Sequence, residues 1–282
     1  MISIIICSKR SQISHKLEQN IKATIGNIPY EIVVIDNSKN NYSIFQAYNK
    51  GVKEAKYSYL CFMHEDILFH SLEWGGVIIS RLQHNIGILG VIGSHYIDQY
   101  SEYYHVPGIC RGHILQGEYK NGTYYTTLDN RNKYKELGCN VVAVDGLWIA
   151  SRKELFDNGI LHWDEDTYKG FHFYDMDICI QAITQNLKVQ IVDELLIEHK
   201  STGNSNITFY DNCLLFHKKW NKYFPIMVPD IPFEILNDIF LQQIIKKKNS
   251  WKEIKGYNKL LNRLPYKIIT KLLLMLRIKL YE

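Results

Sequence analysis

Tyr59-Leu60-Cys61-Phe62-Met63-His64-Glu65-Asp66 is an apolar, aromatic-rich run that ends in two adjacent carboxylates. Its shortness and composition predict a buried strand rather than a helix. In α/β proteins polar ligands gather beyond the carboxyl ends of such strands. Two carboxylates side by side repel each other, and a cation shared with a second anionic group relieves that repulsion. Oxygen ligation suits Mg or Mn, ions that commonly bridge to substrate phosphates. The alternative at this stage is a pair of solvated acids opening a loop.

Outward from this run, strands and helices alternate. Ile2 to Cys7 reads as a strand, and Ser11 to Ile25 as a helix with Ile13, Leu17, Ile21 and Ile25 four apart. Tyr30 to Ile35 is a second strand ending in the turn-forming Asp36-Asn37-Ser38. Ser43-Ile44-Phe45-Gln46 is a capping box opening a helix to about Ala55. A helix over 72–83 and a strand from Ile86 to Ile92 follow. This β-α-β-α-β-α-β order predicts an α/β fold with a mostly parallel sheet flanked by helices. Ligand-facing residues should then be Ser8, Asp36, Glu65 and Asp66. Residues 93–140 interrupt the rhythm and read as loops and short strands without a helix. Strands are expected at Val141–Val144 and Trp148–Ser151, a helix from Tyr174, strands at Lys188–Val192 and Leu195–Glu198, and a helix from Thr208 to Tyr223. Pro225, Pro229 and Pro232 then suggest a boundary, giving a domain over 1–224 and an extension over 225–282.

The 282 residues are 46% hydrophobic, which is enough for a large core. Six cysteines lie singly, mostly in apolar runs, with no C-x-x-C pair. They read as buried reduced thiols of a cytoplasmic protein rather than a disulfide framework or a zinc site. The N-terminus lacks the basic segment of a signal peptide, and no apolar stretch is long enough to span a membrane. The net charge of +4 is uneven: residues 246–282 carry +9, leaving −5 for residues 1–245.

Taken in order, these landmarks resemble the family 2 glycosyltransferases, inverting enzymes of the GT-A fold. Cys7-Ser8-Lys9-Arg10 looks like their first strand end and nucleotide loop. Glu31 to Ser38 looks like their second strand with its uridine-contacting Asp. Ala47-Tyr48-Asn49-Lys50-Gly51 resembles an A-x-N-x-G helix segment. His64-Glu65-Asp66 sits at their D-x-D metal motif, Val144-Asp145-Gly146 at the sugar-pocket strand, Tyr174-Asp175-Met176-Asp177 at E-D-x-D, and Ile197-Glu198-His199 at a late His that can complete the metal site. The chain departs from the pattern at His64, where the family has Asp, and at Tyr174, where it has Glu.

The resemblance implies transfer of a sugar from a nucleotide-sugar, with a UDP-sugar expected, to a saccharide or lipid-linked acceptor in surface polysaccharide synthesis. It assigns Asp66 and His199 to a Mn or Mg ion, with Glu65 in support. Ser8, Asp36 and Asn37 would meet the nucleoside, and Asp145 a sugar hydroxyl or the metal. Asp175 would be the general base, with Asp177 as runner-up. Each has a plainer reading: a surface His after a strand, an ordinary turn, a helix N-cap. Trp148 and Trp163 could stack on sugars or fill the core.

Residues 233–282 read as two or three helices. From Lys267 to Leu280 cations interleave with apolar residues, which suits a basic helix on an anionic membrane surface at the inner face of the cell membrane. A helix packed on the body or a dimer contact are the alternatives, and no nucleic-acid reader motif is present. Two other functional classes compete with the transferase. A nucleotidyltransferase would want a Gly-rich loop after the first strand, which Ser8-Lys9-Arg10-Ser11 is not. A non-catalytic sugar- or nucleotide-binding module remains compatible with His64 and Tyr174.

Overall fold

A computed structural model describes residues 1–98, 101, 109–200, 207–229, 231, 232 and 234–237. The chain divides into two compact units, Met1–Ile231 and Pro232–Glu282. The expected membrane-facing segment over 246–282 lies outside the described residues.

β1 (Ile2–Ser8) is buried along nearly its whole length, as its run of isoleucines demands. α1 (His15–Thr24) starts where the Ser14 hydroxyl accepts the Leu17 N–H. β2 (Tyr30–Asp36) follows, then α2 (Ile44–Glu54), whose capping box between Ser43 and Gln46 is formed on both sides. β3 (Tyr59–Met63) is the strand of the opening run, and a short β4 (Ile67–Phe69) leaves the acidic turn. α3 (Trp74–Arg81), β5 (Ile86–Gly90), β6 (Ile92–Ser94) and β7 (Tyr96–Ile97) come next. β8 (Cys110–Lys120) and β9 (Thr123–Asn130) form a long hairpin. Then come β10 (Asn140–Val141), β11 (Ala143–Val144), β12 (Trp148–Arg152), α4 (Lys153–Asp157), α5 (Tyr174–Thr184), β13 (Lys188–Ile191), β14 (Ile197–His199), α6 (Ile207–Trp220) and β15 (Ile226–Met227).

Among the described residues the main sheet runs β10-β13-β5-β12-β3-β1-β2. β1 pairs parallel with β2 and β3, and β5 with β13, while β12 is antiparallel to both of its neighbours and β10 to β13. The expectation of a mostly parallel sheet is therefore corrected to a mixed one. The cause is that β12 enters the sheet from the strand-end turn Asp145-Gly146 instead of returning through a crossover helix. Trp148 thus sits opposite Met63, and this places the turn directly beside His64.

A second sheet, β11-β6-β8-β14-β4, lies off the first, with β9 joined to β8. The apolar stretches 86–92 and 141–144, each read as one strand, are each divided between the two sheets. Hydrophobicity is continuous across both breaks, so local pattern could not show them. The hairpin of β8 and β9 closes through Asn121 and Gly122, both at positive φ, with Lys120 opposite Thr123. A two-residue Asn-Gly loop of this kind matches strand twist, and it joins two long strands in the segment expected to hold loops and short strands.

The two faces of β1 and β3 are packed differently. Ile4, Ile6, Cys61 and Met63 join the core under α1 and α3. On the other face Phe62 meets Tyr48 and Trp163, with ring centroids 5.0 and 4.8 Å away. Trp148 and Trp163 are both buried core residues. None of the six cysteines is in a disulfide. Among the described residues no helix is long and apolar enough to cross a membrane.

Candidate active site

Strand register builds the site. β4 pairs antiparallel with β14 so that His199 faces Ile67, and Lys200 N–H donates to the Asp66 carbonyl at 3.0 Å. This brings the late histidine to the acidic turn after β3. His64, Asp66 and His199 each offer one ligand atom, and these atoms lie within 4.8 Å of one another. Asp66 Oδ1 is 3.9 Å from His64 Nδ1 and 3.7 Å from His199 Nε2. That oxygen is buried and has no hydrogen-bond partner. A buried carboxylate oxygen left unpaired is costly. Two bonds of about 2.1 Å to one ion span at most about 4.2 Å, so both separations fit a shared divalent ion. The donor set, two imidazoles and one carboxylate, is a competent one.

Glu65 is placed elsewhere. It accepts from the Ser8 hydroxyl and from Lys9 N–H at 3.1 Å, so it ties the ends of β1 and β3 together and stands apart from the cluster. Ser8 is buried, and its oxygen also takes Arg10 N–H at 3.0 Å. Asp36 is exposed at the end of β2. Hydrogen bonds from Ser38 hold its carboxyl below the ordinary range. Asn37 uses its amide on the Tyr42 backbone, donating to the carbonyl and accepting the N–H, each at 2.9 Å, so its side chain braces the loop.

The Asp145-Gly146 turn is pinned from three sides. His64 N–H donates to the Leu147 carbonyl at 3.0 Å, Asp145 Oδ1 accepts Leu147 N–H at 2.9 Å, and Gly146 N–H donates to Asp175 Oδ2 at 2.9 Å. Tyr174 packs so closely on Gly146 that a Cβ there would lie 2.1 Å from the Tyr174 hydroxyl. Tyr174 and Asp175 open α5 after Phe173, which has φ of 72°. A bulky residue in the left-handed region costs on the order of 1–3 kcal/mol and persists only where its surroundings fix it.

Asp175 is fully buried, and its other oxygen accepts Met176 N–H at 2.9 Å. Asp177 turns away from the cluster. It is buried among Tyr168, Gln181, Lys219 and Trp220, all of which donate to it.

Sequence reasoning did not foresee two features. The first is the contact between His64 Nε2 and the Tyr174 hydroxyl at 2.7 Å; only the fact that both depart from one family pattern hinted at it. The second is Phe171, a residue 46% exposed whose ring nonetheless lies 5.3 Å from that of His64 and 5.7 Å from that of Tyr174. Burial and the nearby His199 push the His64 imidazole down to about 4, against the pull of Asp66. Its ring is therefore neutral at pH 7. Burial raises the Tyr174 hydroxyl well above its ordinary value, so it stays protonated.

A family model described as "Glycosyltransferase like family" matches residues 3–218. The chain belongs to this family. Among solved structures, the mannosyltransferase PcManGT from Pyrobaculum calidifontis, in complex with GDP-Man and Mn2+, matches with TM-score 0.53 at 10% identity, over 100% of this chain and 81% of that one. At that identity the likeness establishes the fold, which is GT-A. A crystal structure of GalNAc-T7 with UDP, GalNAc and Mn2+ matches at TM-score 0.48 and 12% identity, over 71% of this chain and 44% of that one. This chain thus spans less than half the length of GalNAc-T7. A search of curated proteins finds no match to this glycosyltransferase-like chain.

Proposed function

We propose that this protein is a metal-dependent, inverting glycosyltransferase that moves a sugar from a nucleotide donor, a UDP-sugar in the first instance, to a saccharide or lipid-linked hydroxyl. The observation that carries the reading is the unpaired buried Asp66 oxygen between His64 and His199, at the strand ends that also carry Ser8 and Asp36. Asp66 and His199 would hold a divalent ion of the Mn or Mg kind. When bound, it neutralises charge that develops on the departing diphosphate. The GDP-Man and Mn2+ that the mannosyltransferase PcManGT holds are consistent with this assignment.

The chain's own groups supply the rest. Asp36, kept ionised by Ser38, accepts hydrogen bonds from base N–H or ribose hydroxyls. Ser8 and Glu65 fix the loop beneath it. The second oxygen of Asp145 faces the sugar, and the exposed ring of Phe171 offers an apolar face to an acceptor. Asp175 takes the acceptor proton. The complete burial of Asp175 also favours a second reading, a donor-binding module without transfer. A thermal-shift screen of UDP- and GDP-sugars with and without Mn, followed by release of free nucleotide with and without acceptor sugars, separates the two. Mn-dependent binding with release supports the enzyme, binding without release supports the module, and no binding removes both.

A role in surface polysaccharide synthesis at the inner membrane face rests on the basic segment 246–282 and on sequence alone. It predicts that the full chain co-sediments with anionic vesicles at low salt and is partly released at 1 M, where charges beyond about 3 Å are screened. Salt-independent partitioning would remove it.

A further inference from the structure

The two residues at which this chain departs from the family motifs touch each other. His64 Nε2 is 2.7 Å from the Tyr174 hydroxyl. An imidazole has two ring nitrogens, and a hydrogen bond at one decides what the other presents. With Nε2 engaged by Tyr174, Nδ1 is the nitrogen that faces Asp66, 3.9 Å away. Tyr174 is a fixed post. Its ring sits among Phe45, Tyr48, Trp163 and Phe171 at centroid distances of 6.2, 5.7, 5.8 and 5.7 Å, and its hydroxyl is pressed against Gly146.

Resting on the metal-dependent reading above, we propose that His64 is a third metal ligand through Nδ1, that Tyr174 is the positioning residue holding it, and that the resulting centre selects ions of the Co2+, Ni2+ or Zn2+ kind over Mg2+. In the tautomer that leaves the Nδ1 lone pair open, Nε2–H donates to the Tyr174 oxygen. Hydroxyl and backbone partners of this kind orient ligand histidines, and their loss typically costs 10–100-fold in metal affinity. Ligation through His64 Nδ1 would give the centre two imidazole nitrogens beside one carboxylate. Imidazole suits Zn, Fe, Cu and Ni, whereas Mg favours oxygen and binds imidazole poorly. His64 thus adds a nitrogen donor beside Asp66 and His199, with Tyr174 holding its ring.

The test uses the full chain with Co2+ as probe. Visible absorption of the bound ion reports the ligand field, and competition by Mg2+ reports selection. The wild type should bind Co2+ at least about 10²-fold more tightly than Mg2+. His64→Ala should weaken Co2+ by 10-fold or more and alter the absorption envelope. Should His64→Ala not fold, His64→Gln is measured in its place, with the same expectation. His64→Asp should narrow the Co2+-over-Mg2+ ratio at least tenfold. Tyr174→Phe keeps the packed ring and should weaken Co2+ 10–100-fold with the envelope retained. A Co2+ titration and spectrum of His64→Ala or its Gln substitute that superimpose on the wild type overturn the ligand role. Unchanged affinity in Tyr174→Phe overturns the positioning role. Nucleotide release is followed in parallel. Release by the wild type with unaltered Co2+ binding in the His64 variants sinks this inference alone. The expected metal pattern without nucleotide release sinks the transferase reading alone. A wild type that binds no ion sinks both.

Discussion

Lys219 Nζ stands 2.8 Å from Asp177 Oδ1 and 2.6 Å from Asp164 Oδ2, and so bolts α6 to the first turn of α5. Asp177 is buried and also takes bonds from Tyr168, Gln181 and Trp220. Removing the cation leaves buried charge uncompensated, which costs about 3–5 kcal/mol. Lys219→Met should therefore lower the urea midpoint strongly while the folded fraction binds donor normally. Burial tends to raise the Asp164 carboxyl, but hydrogen bonds from Lys219 and Thr167 outweigh it and hold the group at about 2. A depressed carboxylate contributes stability above its unfolded pKa that is lost as pH falls toward the folded value. The gap between wild type and Lys219→Met should then narrow from pH 4 toward pH 2. A constant gap would show that the ion pairs are not its source.

The same geometry separates the two candidate bases. Asp175→Asn should lower transfer about 10²–10⁴-fold with donor affinity kept, while Asp177→Asn should chiefly lower the melting temperature. Steady-state rates and donor affinity on both variants decide it. The reverse assignment, an inactive but stable Asp177→Asn, would exclude Asp175 as the base.

Gly146 has no room for a methyl group, since a Cβ would also lie 2.3 Å from Cζ of Tyr174. Gly146→Ala should destabilise by about 1–3 kcal/mol through overpacking. Combined with Tyr174→Ala it should cost less than the two changes summed, because the second removes what the first strikes. Strict additivity in a double-mutant cycle would place the strain elsewhere.

His64 links stability to pH. Its folded value, lowered to about 4 by burial and by His199 and opposed by Asp66, Asp145 and Glu65, lies below that of an unfolded histidine, about 6.5. The unfolded chain therefore binds more protons between these values, and stability falls as pH drops from 6.5 toward 4, by up to about 3 kcal/mol. His64→Gln should flatten this part of the unfolding profile. An unchanged slope would assign the loss to other groups.

What was readable in the sequence was local. The isoleucines of β1, the Ser43–Gln46 box and the apolar run of β3 carry their structural cause within a few residues, and each element formed there. The partition of 141–144 between two sheets depends on distant partners, Val189 for Val141 and Gly93 for Val144, and no local pattern encodes it. Asn121-Gly122 was a legible hairpin signal that went unused. At the site, residue types near strand ends were visible from order alone. The approach of His199 to Asp66 is a matter of register, and the His64–Tyr174 contact joins elements far apart in the chain, so neither had a local signal. Asn37 shows the opposite limit: its turn was evident, but the engagement of its side chain with Tyr42 was not.

The pairing of β4 with β14 sets an order of events during synthesis. β1, β2 and β3 leave the ribosome early, with Asp66 already present, but its neighbour His199 emerges only with β14. A slip of one residue in that pairing would turn His199 to the opposite face of its sheet. An ion held by these side chains therefore distinguishes a chain that has made β14 in the correct register from one that has not. At a free concentration one hundred times its dissociation constant, it would add about 2.7 kcal/mol to the finished form alone. The ion proposed for the chemistry would also serve as a proofreader of the fold.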